Sequence, residues 1–197
     1  MSVITSIKPQ RNGKRVNIYL DGKFGFGIDL ENFIGLGLKV EQELTEDQLT
    51  QIIDKAEFTK VLNNLLNFAT LRPRSTKELK DWLRRKKVSV SIHTKLFSRL
   101  KRLDLVADKK FAQWWVEQRV NFRPRSKRML NYELRIKGVN REIISEVLKK
   151  TDSDEVEMAK RLLARRKNRD WETNATYLAR KGFDWGTIKK VKSSLDD

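Results

Sequence analysis

Two tetrapeptides are identical: Arg72-Pro73-Arg74-Ser75 and Arg123-Pro124-Arg125-Ser126. A guanidinium is a planar fork of donors that matches phosphate or carboxylate. The serine after such a proline corner suits a helix N-cap, and the N–H groups that follow attract anions. The spacing therefore suits an anion clamp. It suits equally a corner that only sets an inter-helix turn, with the arginine stems packed on Trp or Phe. Arg84-Arg85-Lys86-Lys87 is a denser cationic run, and Lys127, Arg128, Arg135 and Lys137 give the later segment a similar character. The candidate binding residues are Arg72, Arg74, Lys77, Arg84, Arg85, Lys86, Lys87, Arg119, Arg123, Arg125, Lys127, Arg128, Arg135, Lys137 and Lys181.

Bond-making chemistry finds little support. There is no cysteine, which excludes thiolate nucleophiles, thiolate metal sites and disulfides. The one histidine, His93, occupies a position that is apolar in two related segments, so a core or half-buried role is expected rather than a general base or ligand. Asp152, Asp154, Glu155 and Glu157 cluster, but they lack the glycine and distal glutamate of a calcium loop. Acids in a helix's first turn explain them. Gly25-Phe26-Gly27 lacks the spacing of a phosphate loop and reads as turn and bulge glycines. The expectation is a non-enzyme without metal or cofactor.

Charge points to a polyanion. The 197 residues hold 43 Lys and Arg against 26 Asp and Glu, a net of +17. Residues 1–56 carry −1, 57–107 carry +9, 108–151 carry +7 and 152–197 carry +2. So localised a positive field attracts nucleic acid or an acidic assembly built on it, the alternative being a solvated, charged helix face. No apolar run of about 18 residues is present, and the start lacks a signal-peptide pattern, so a cytosolic chain without membrane contact is expected.

The elements that must position these groups form a repeat. At an offset of 51, Leu79, Leu83, Lys86, Val88, Ile92 and Leu96 fall on Leu130, Leu134, Lys137, Val139, Ile143 and Val147. At a further offset of 44, Leu134, Lys137, Gly138, Ile144 and Val147 fall on Leu178, Lys181, Gly182, Ile188 and Val191. One small helical unit is thus used three times. The expected architecture is mainly α: three tandem three-helix, helix-turn-helix-like repeats in an elongated, curved array, preceded by a small antiparallel β module. The expected boundaries are 1–50 for the β module and 51–107, 108–151 and 152–197 for the repeats. Ser75 and Ser126 cap the second helices, with Glu78 completing a capping box, and Gly138 and Gly182 end them. Alternation at Ile4, Ile7, Val16, Ile18, Leu20, Phe24, Phe26 and Ile28, with Asn12-Gly13 and Asp21-Gly22 turns, predicts the sheet. Thr45-Glu46-Asp47-Gln48 opens a helix whose apolar phase shifts near residue 56, which predicts a kink or a module boundary. Trp114 and Trp115 are adjacent, so one is expected to leave the local core and either pack between repeats or stand exposed as an interface anchor.

The third helices offer Lys95, Arg99 and Arg102, then Arg141, Glu142 and Glu146, then Lys189, Lys190 and Lys192. A recognition helix reading bases would not mix these signs, so contact with DNA is expected to be nonspecific.

The chain resembles the RecX family of recombination regulators. The matching residues are Arg72-Pro73-Arg74-Ser75 with Glu78-Leu79; Asp108-Lys109-Lys110-Phe111-Ala112-Gln113-Trp114-Trp115-Val116 with Arg119; Glu133-Leu134 with Lys137-Gly138-Val139; and Tyr177-Leu178-Ala179-Arg180-Lys181-Gly182-Phe183. They span about residues 57 to 195, and the β module looks like an extension carried by some members. Met129, and Lys87-Val88 where later repeats have glycine, depart from the pattern. The resemblance implies a monomeric, cytoplasmic regulator of recombination, DNA repair and the SOS response. It implies binding to the RecA–single-stranded DNA filament and inhibition or modulation of its ATPase and strand exchange. Two rivals stand beside it: a nonspecific binder of single- or double-stranded DNA with no recombinase partner, and an adaptor whose β module recruits another protein.

Overall fold

The structure, a computed structural model, describes residues 1–11, 13–151, 154–164, 166 and 169–196, of Asp196 the backbone only. Asn12 of the first expected turn, and Asp152 and Ser153 of the acidic cluster, lie outside the described residues. The chain is mostly helical, with a small antiparallel sheet at its N-terminal end. Its contacts divide it into two compact units, 1–70 with 88–96, and 71–87 with 97–197.

The first unit is built on a sheet of β1 (Ser2–Pro9), β2 (Arg15–Leu20), β3 (Lys23–Asp29) and β4 (Glu43–Leu44), in the order β3-β2-β1-β4. Asp21 and Gly22 both take positive φ, the geometry that a two-residue hairpin requires. Ile4 and Ile7 are of opposite parity, yet both meet the same core. A register shift between Ile4 and Ser6 makes this possible. Gly25 lies in β3 where the pairing steps from Tyr19–Phe24 to Ile18–Phe26, a bulge position as expected. α1 (Leu30–Leu36) caps the sheet with Phe33 and Leu36, while Ile34 is exposed.

α2 (Glu46–Thr70) opens on a reciprocal capping box. Thr45 N–H donates to Gln48 Oε1 at 2.9 Å, and Gln48 N–H donates to Thr45 Oγ1 at 3.2 Å. The helix then runs without interruption past residue 56. Ile52 and Ala56 close the sheet core, whereas Leu65 and Ala69 are buried outside that cluster. The shift in apolar phase thus marks a change in what the helix covers, within one continuous helix. A 3-10 turn (Val90–Ile92) leads into α4 (His93–Arg102), and α3 (Thr76–Arg85) precedes it. His93 is half-buried, and its Nε2 lies 3.1 Å from the Val88 carbonyl, a satisfied structural histidine.

In the second unit two triplets of helices each enclose a core. α5 (Asp108–Phe122), α6 (Lys127–Ile136) and α7 (Arg141–Lys150) bury Phe111, Ala112, Val116, Leu130, Leu134, Val139, Ile144 and Val147. Burying Phe111 and the leucines contributes about 1.5–3 kcal/mol each. α8 (Glu155–Leu163), α9 (Trp171–Arg180) and α10 (Trp185–Asp196) enclose Met158, Ala159, Leu162, Ala175, Leu178, Phe183, Ile188 and Val191. Val120 packs against both clusters and joins them. Leu103, Phe122 and Leu195 continue apolar stripes but are exposed. Trp114 and Trp115 both pack on the α5–α7 core, contrary to expectation. They lie three and four residues after Phe111, and positions at both spacings share one helix face. Their ring centroids lie 6.2 Å and 5.7 Å from that of Phe111.

Candidate nucleic-acid interface

α3, α6 and α9 meet end to end. Gly138 ends α6 at φ +77, and a Cβ there would lie 2.8 Å from Lys77 Cβ on α3. Gly182 ends α9 at φ +92, and a Cβ there would lie 2.6 Å from Ser126 Oγ at the start of α6. Only glycine allows both the left-handed turn and the approach. Lys77 Nζ donates to the Ile136 carbonyl at 3.1 Å, and the Ser126 N–H donates to the Lys181 carbonyl at 3.4 Å. Negative helix ends thus face positive ones.

The N–H groups at the Pro-Arg-Ser corners are engaged within the chain. Buried Ser75 and Ser126 cap through Oγ, accepting from Glu78 N–H at 3.1 Å and Met129 N–H at 3.2 Å. The first helical N–H of α3, on Thr76, donates to Asp108 Oδ1 at 2.7 Å. The first of α6, on Lys127, donates to Glu155 Oε1 at 2.6 Å. In each case the carboxylate comes from the first turn of the next triplet. A protein anion therefore occupies the place where a phosphate would sit.

Two further carboxylates hold many of the cations named from the sequence. Glu78 accepts from Arg72 at 3.0 and 3.1 Å and from Lys137 Nζ at 2.7 Å. Burial would push its carboxyl up, but the hydrogen bonds and charges of Arg72 and Lys137 outweigh that and hold it below the usual glutamate range. Arg72 also lies over the Trp114 ring at 5.1 Å. Glu133 accepts from Arg119 Nε at 2.7 Å and Trp115 Nε1 at 2.8 Å, with Arg125 Nε at 3.8 Å. Arg119 and Lys137 stand over the Trp115 ring at 4.4 and 5.0 Å. Arg74 is half-buried, and burial, followed by neighbouring Arg72, lowers its pKa from the usual arginine value. Half-buried Lys181 lies over Tyr177 at 5.0 Å.

The remaining candidates face solvent. Arg84 pairs with Asp81, which Lys77 also approaches at 3.7 Å. Arg85, Lys86, Lys87, Arg123, Lys127, Arg128 and Arg135 make no side-chain ion pair or hydrogen bond among the described residues. Lys127, Arg128 and Arg135 line a shallow cleft of about 500 Å³ with Asn131, Tyr132 and Leu148. Its charged lining residues are all cations. No group of three His, Cys, Asp or Glu able to hold a metal occurs among the described residues, and no described helix is long and apolar enough to cross a membrane.

Residues 2–45 match the family model described as "Regulatory protein RecX N-terminal domain", and residues 108–148 match "RecX, second three-helix domain". The chain is 34% identical to "Regulatory protein RecX" of Clostridioides difficile, over 99% of this chain and 96% of that one. The chain belongs to the RecX family. The RecX protein of Bacillus licheniformis is 32% identical across all of this chain and 78% of its own. A crystal structure of regulatory protein RecX shares the fold, with a TM-score of 0.65 at 23% identity over 98% of this chain and all of that one. The β module is thus itself a RecX domain.

The RecX-like motifs divide by what the side chains touch. Arg72, Arg119, Glu78, Glu133 and Lys137 hold the helical units together. Sequence reasoning missed Asp108 and Glu155 as inter-triplet ligands and Glu78 and Glu133 as network centres. Tyr132, equivalent to Asp81 under the 51-residue offset, lines the cleft beside the candidate cations without being one of the sequence candidates.

Proposed function

We propose that this protein is a non-enzymatic regulator that binds the RecA–single-stranded DNA filament and restrains its ATP hydrolysis and strand exchange. One observation carries the reading: the cations are sorted. Some are bound to internal carboxylates, while Arg85, Lys86, Lys87, Lys127, Arg128 and Arg135 are left unneutralised on exposed or half-exposed faces. Unpaired, hydrated cations on a rigid scaffold are what a polyanionic surface engages, with release of counterions. The end-to-end junctions tie α3, α6 and α9 together, which suits an inhibitor spanning neighbouring protomers. Residues 51–107, 108–151 and 152–197 then act as successive binding units. Acidic surface on the recombinase and DNA phosphate share the contacts.

The test is a titration of the protein into pre-formed RecA–single-stranded DNA filaments, following ATP hydrolysis, beside a salt series on bare DNA. Inhibition at concentrations too low to coat free DNA supports filament-directed regulation. Inhibition only at coating concentrations reduces the protein to a competing DNA coat. Equal affinity for bare DNA and filament would favour the plain nucleic-acid binder.

A further inference from the structure

The same helical stripe has three different fates along the chain. On α3 it reads Lys77, Asp81, Arg84; on α6, Arg128, Tyr132, Arg135; on α9, Glu172, Thr176, Ala179. On α3 the central aspartate ion-pairs within the stripe, with Arg84 and, at 3.7 Å, with Lys77. On α9 the stripe holds no cation. Only on α6 do two unpaired arginines flank an aromatic ring. Arg128 lies one turn before Tyr132 and Arg135 one turn after, all on one face. Tyr132 is 61% exposed, on the cleft that Lys127, Arg128 and Arg135 also line. The two arginines stand about 10 Å apart along the axis, which leaves room for a planar group between them. An aromatic that builds no core, held between cations that pair with no described residue, is poorly explained by stability.

The geometry points to the outer face of α6 as a base-stacking site for single-stranded nucleic acid. Tyr132 stacks an unpaired base, and Arg128, Arg135 and Lys127 hold the phosphates on either side. The inference rests on the nucleic-acid half of the proposed function and deepens it. A duplex keeps its bases stacked inside, so Tyr132 adds nothing to duplex binding, while the cations serve both forms. Stacking on an aromatic is tolerant of sequence because every base has a π face. An acidic peptide would also satisfy the cations, but it would have no use for a planar ring between them.

The experiment measures full-length protein binding to a fluorescein-labelled oligothymidine and to a duplex hairpin of equal charge, by anisotropy across a salt series. The variants are Tyr132→Ala, Tyr132→Phe and Tyr132→Asp, the last recreating the α3 stripe. Tyr132→Ala is expected to weaken single-strand binding roughly 5- to 100-fold while duplex binding stays within about 2-fold. Its salt slope for the single strand is unchanged, since no phosphate contact is lost. Tyr132→Phe keeps the ring and restores binding, which separates stacking from hydroxyl bonding and from misfolding. Tyr132→Asp weakens both forms and flattens both slopes. Equal losses for single strand and duplex with Tyr132→Ala, or no loss, overturn the inference. So does a loss of filament binding with bare single-strand binding intact, which assigns the face to protein. Wild-type inhibition of filament ATPase in parallel keeps the two claims apart: it fails if the filament reading is wrong, whatever Tyr132 does to bare DNA.

Discussion

Glu78→Gln should destabilise the helical unit by about 1.5–3 kcal/mol at neutral pH. The substitution keeps size and removes the charge on which Arg72 and Lys137 converge, at 3.0 and 2.7 Å. A unit pair near 4 Å attracts by about 4 kcal/mol at an effective dielectric constant of about 20. Desolvation offsets much of this. Breaking a fully buried pair costs about 3–5 kcal/mol, whereas exposed pairs give about 0–1. Glu78 is 15% exposed, with Arg72 at 28% and Lys137 at 30%, so the site lies between these limits. For a chain of this size the loss corresponds to a melting shift of about 3–12 °C. The assay is urea denaturation of wild type, Glu78→Gln, Lys137→Met and the double variant. Coupling of at least about 1 kcal/mol across the cycle is expected. Additive effects, or a Glu78→Gln loss under about 0.5 kcal/mol, would refute the claim that this carboxylate clasps two helical units.

Gly182→Ala should cost about 2–4 kcal/mol, from the left-handed backbone together with the clash at Ser126. Gly37→Ala, at φ +60 with nothing within 4 Å, should cost only the backbone part, and equal losses in thermal melts would remove the clash from the account. The Glu78 carboxyl is held below its unfolded value. Its contribution is therefore complete above the ordinary glutamate range and is lost as pH falls through and below that range. Urea midpoints between pH 6 and pH 3 should fall less steeply for Glu78→Gln than for wild type, and parallel slopes would contradict this. Reversing charge at Arg85, Lys86 and Lys87 should weaken filament inhibition and leave the melt within about 2 °C, and undiminished inhibition would remove that run from the interface.

Much of the fold is legible because local chemistry dictates it. The Thr45–Gln48 box, the Ser75 and Ser126 caps, the Asp21-Gly22 turn and the glycine stops all need only near neighbours. The repeat offsets likewise place Leu130, Leu134, Ile144 and Val147 in one core and Leu178, Ile188 and Val191 in another. What stays hidden depends on how successive helical triplets meet. Glu78 reads as a capping-box acid, yet its carboxylate binds Lys137, 59 residues away. Glu155 reads as a helix-dipole acid and Asp108 only as part of a family motif, yet they accept the N–H groups of Lys127 and Thr76. Trp114 and Trp115 mislead because adjacency suggests opposite faces, whereas spacing from Phe111 decides. Charge counts alone give all the Arg and Lys equal standing; only the position of the carboxylates sorts them.

Two double variants test that sorting directly, because each removes two arginines and leaves the same net charge. Arg128→Ala with Arg135→Ala strips the open face of α6, while Arg119→Ala with Arg125→Ala strips the Glu133 network. Both would be melted and then titrated against RecA–single-stranded DNA filaments below their melting temperatures, following ATP hydrolysis. The account predicts that the first pair loses inhibition with an unchanged melt, and that the second melts lower yet still inhibits. Equal loss of inhibition by both pairs, or the reverse assignment, would contradict it.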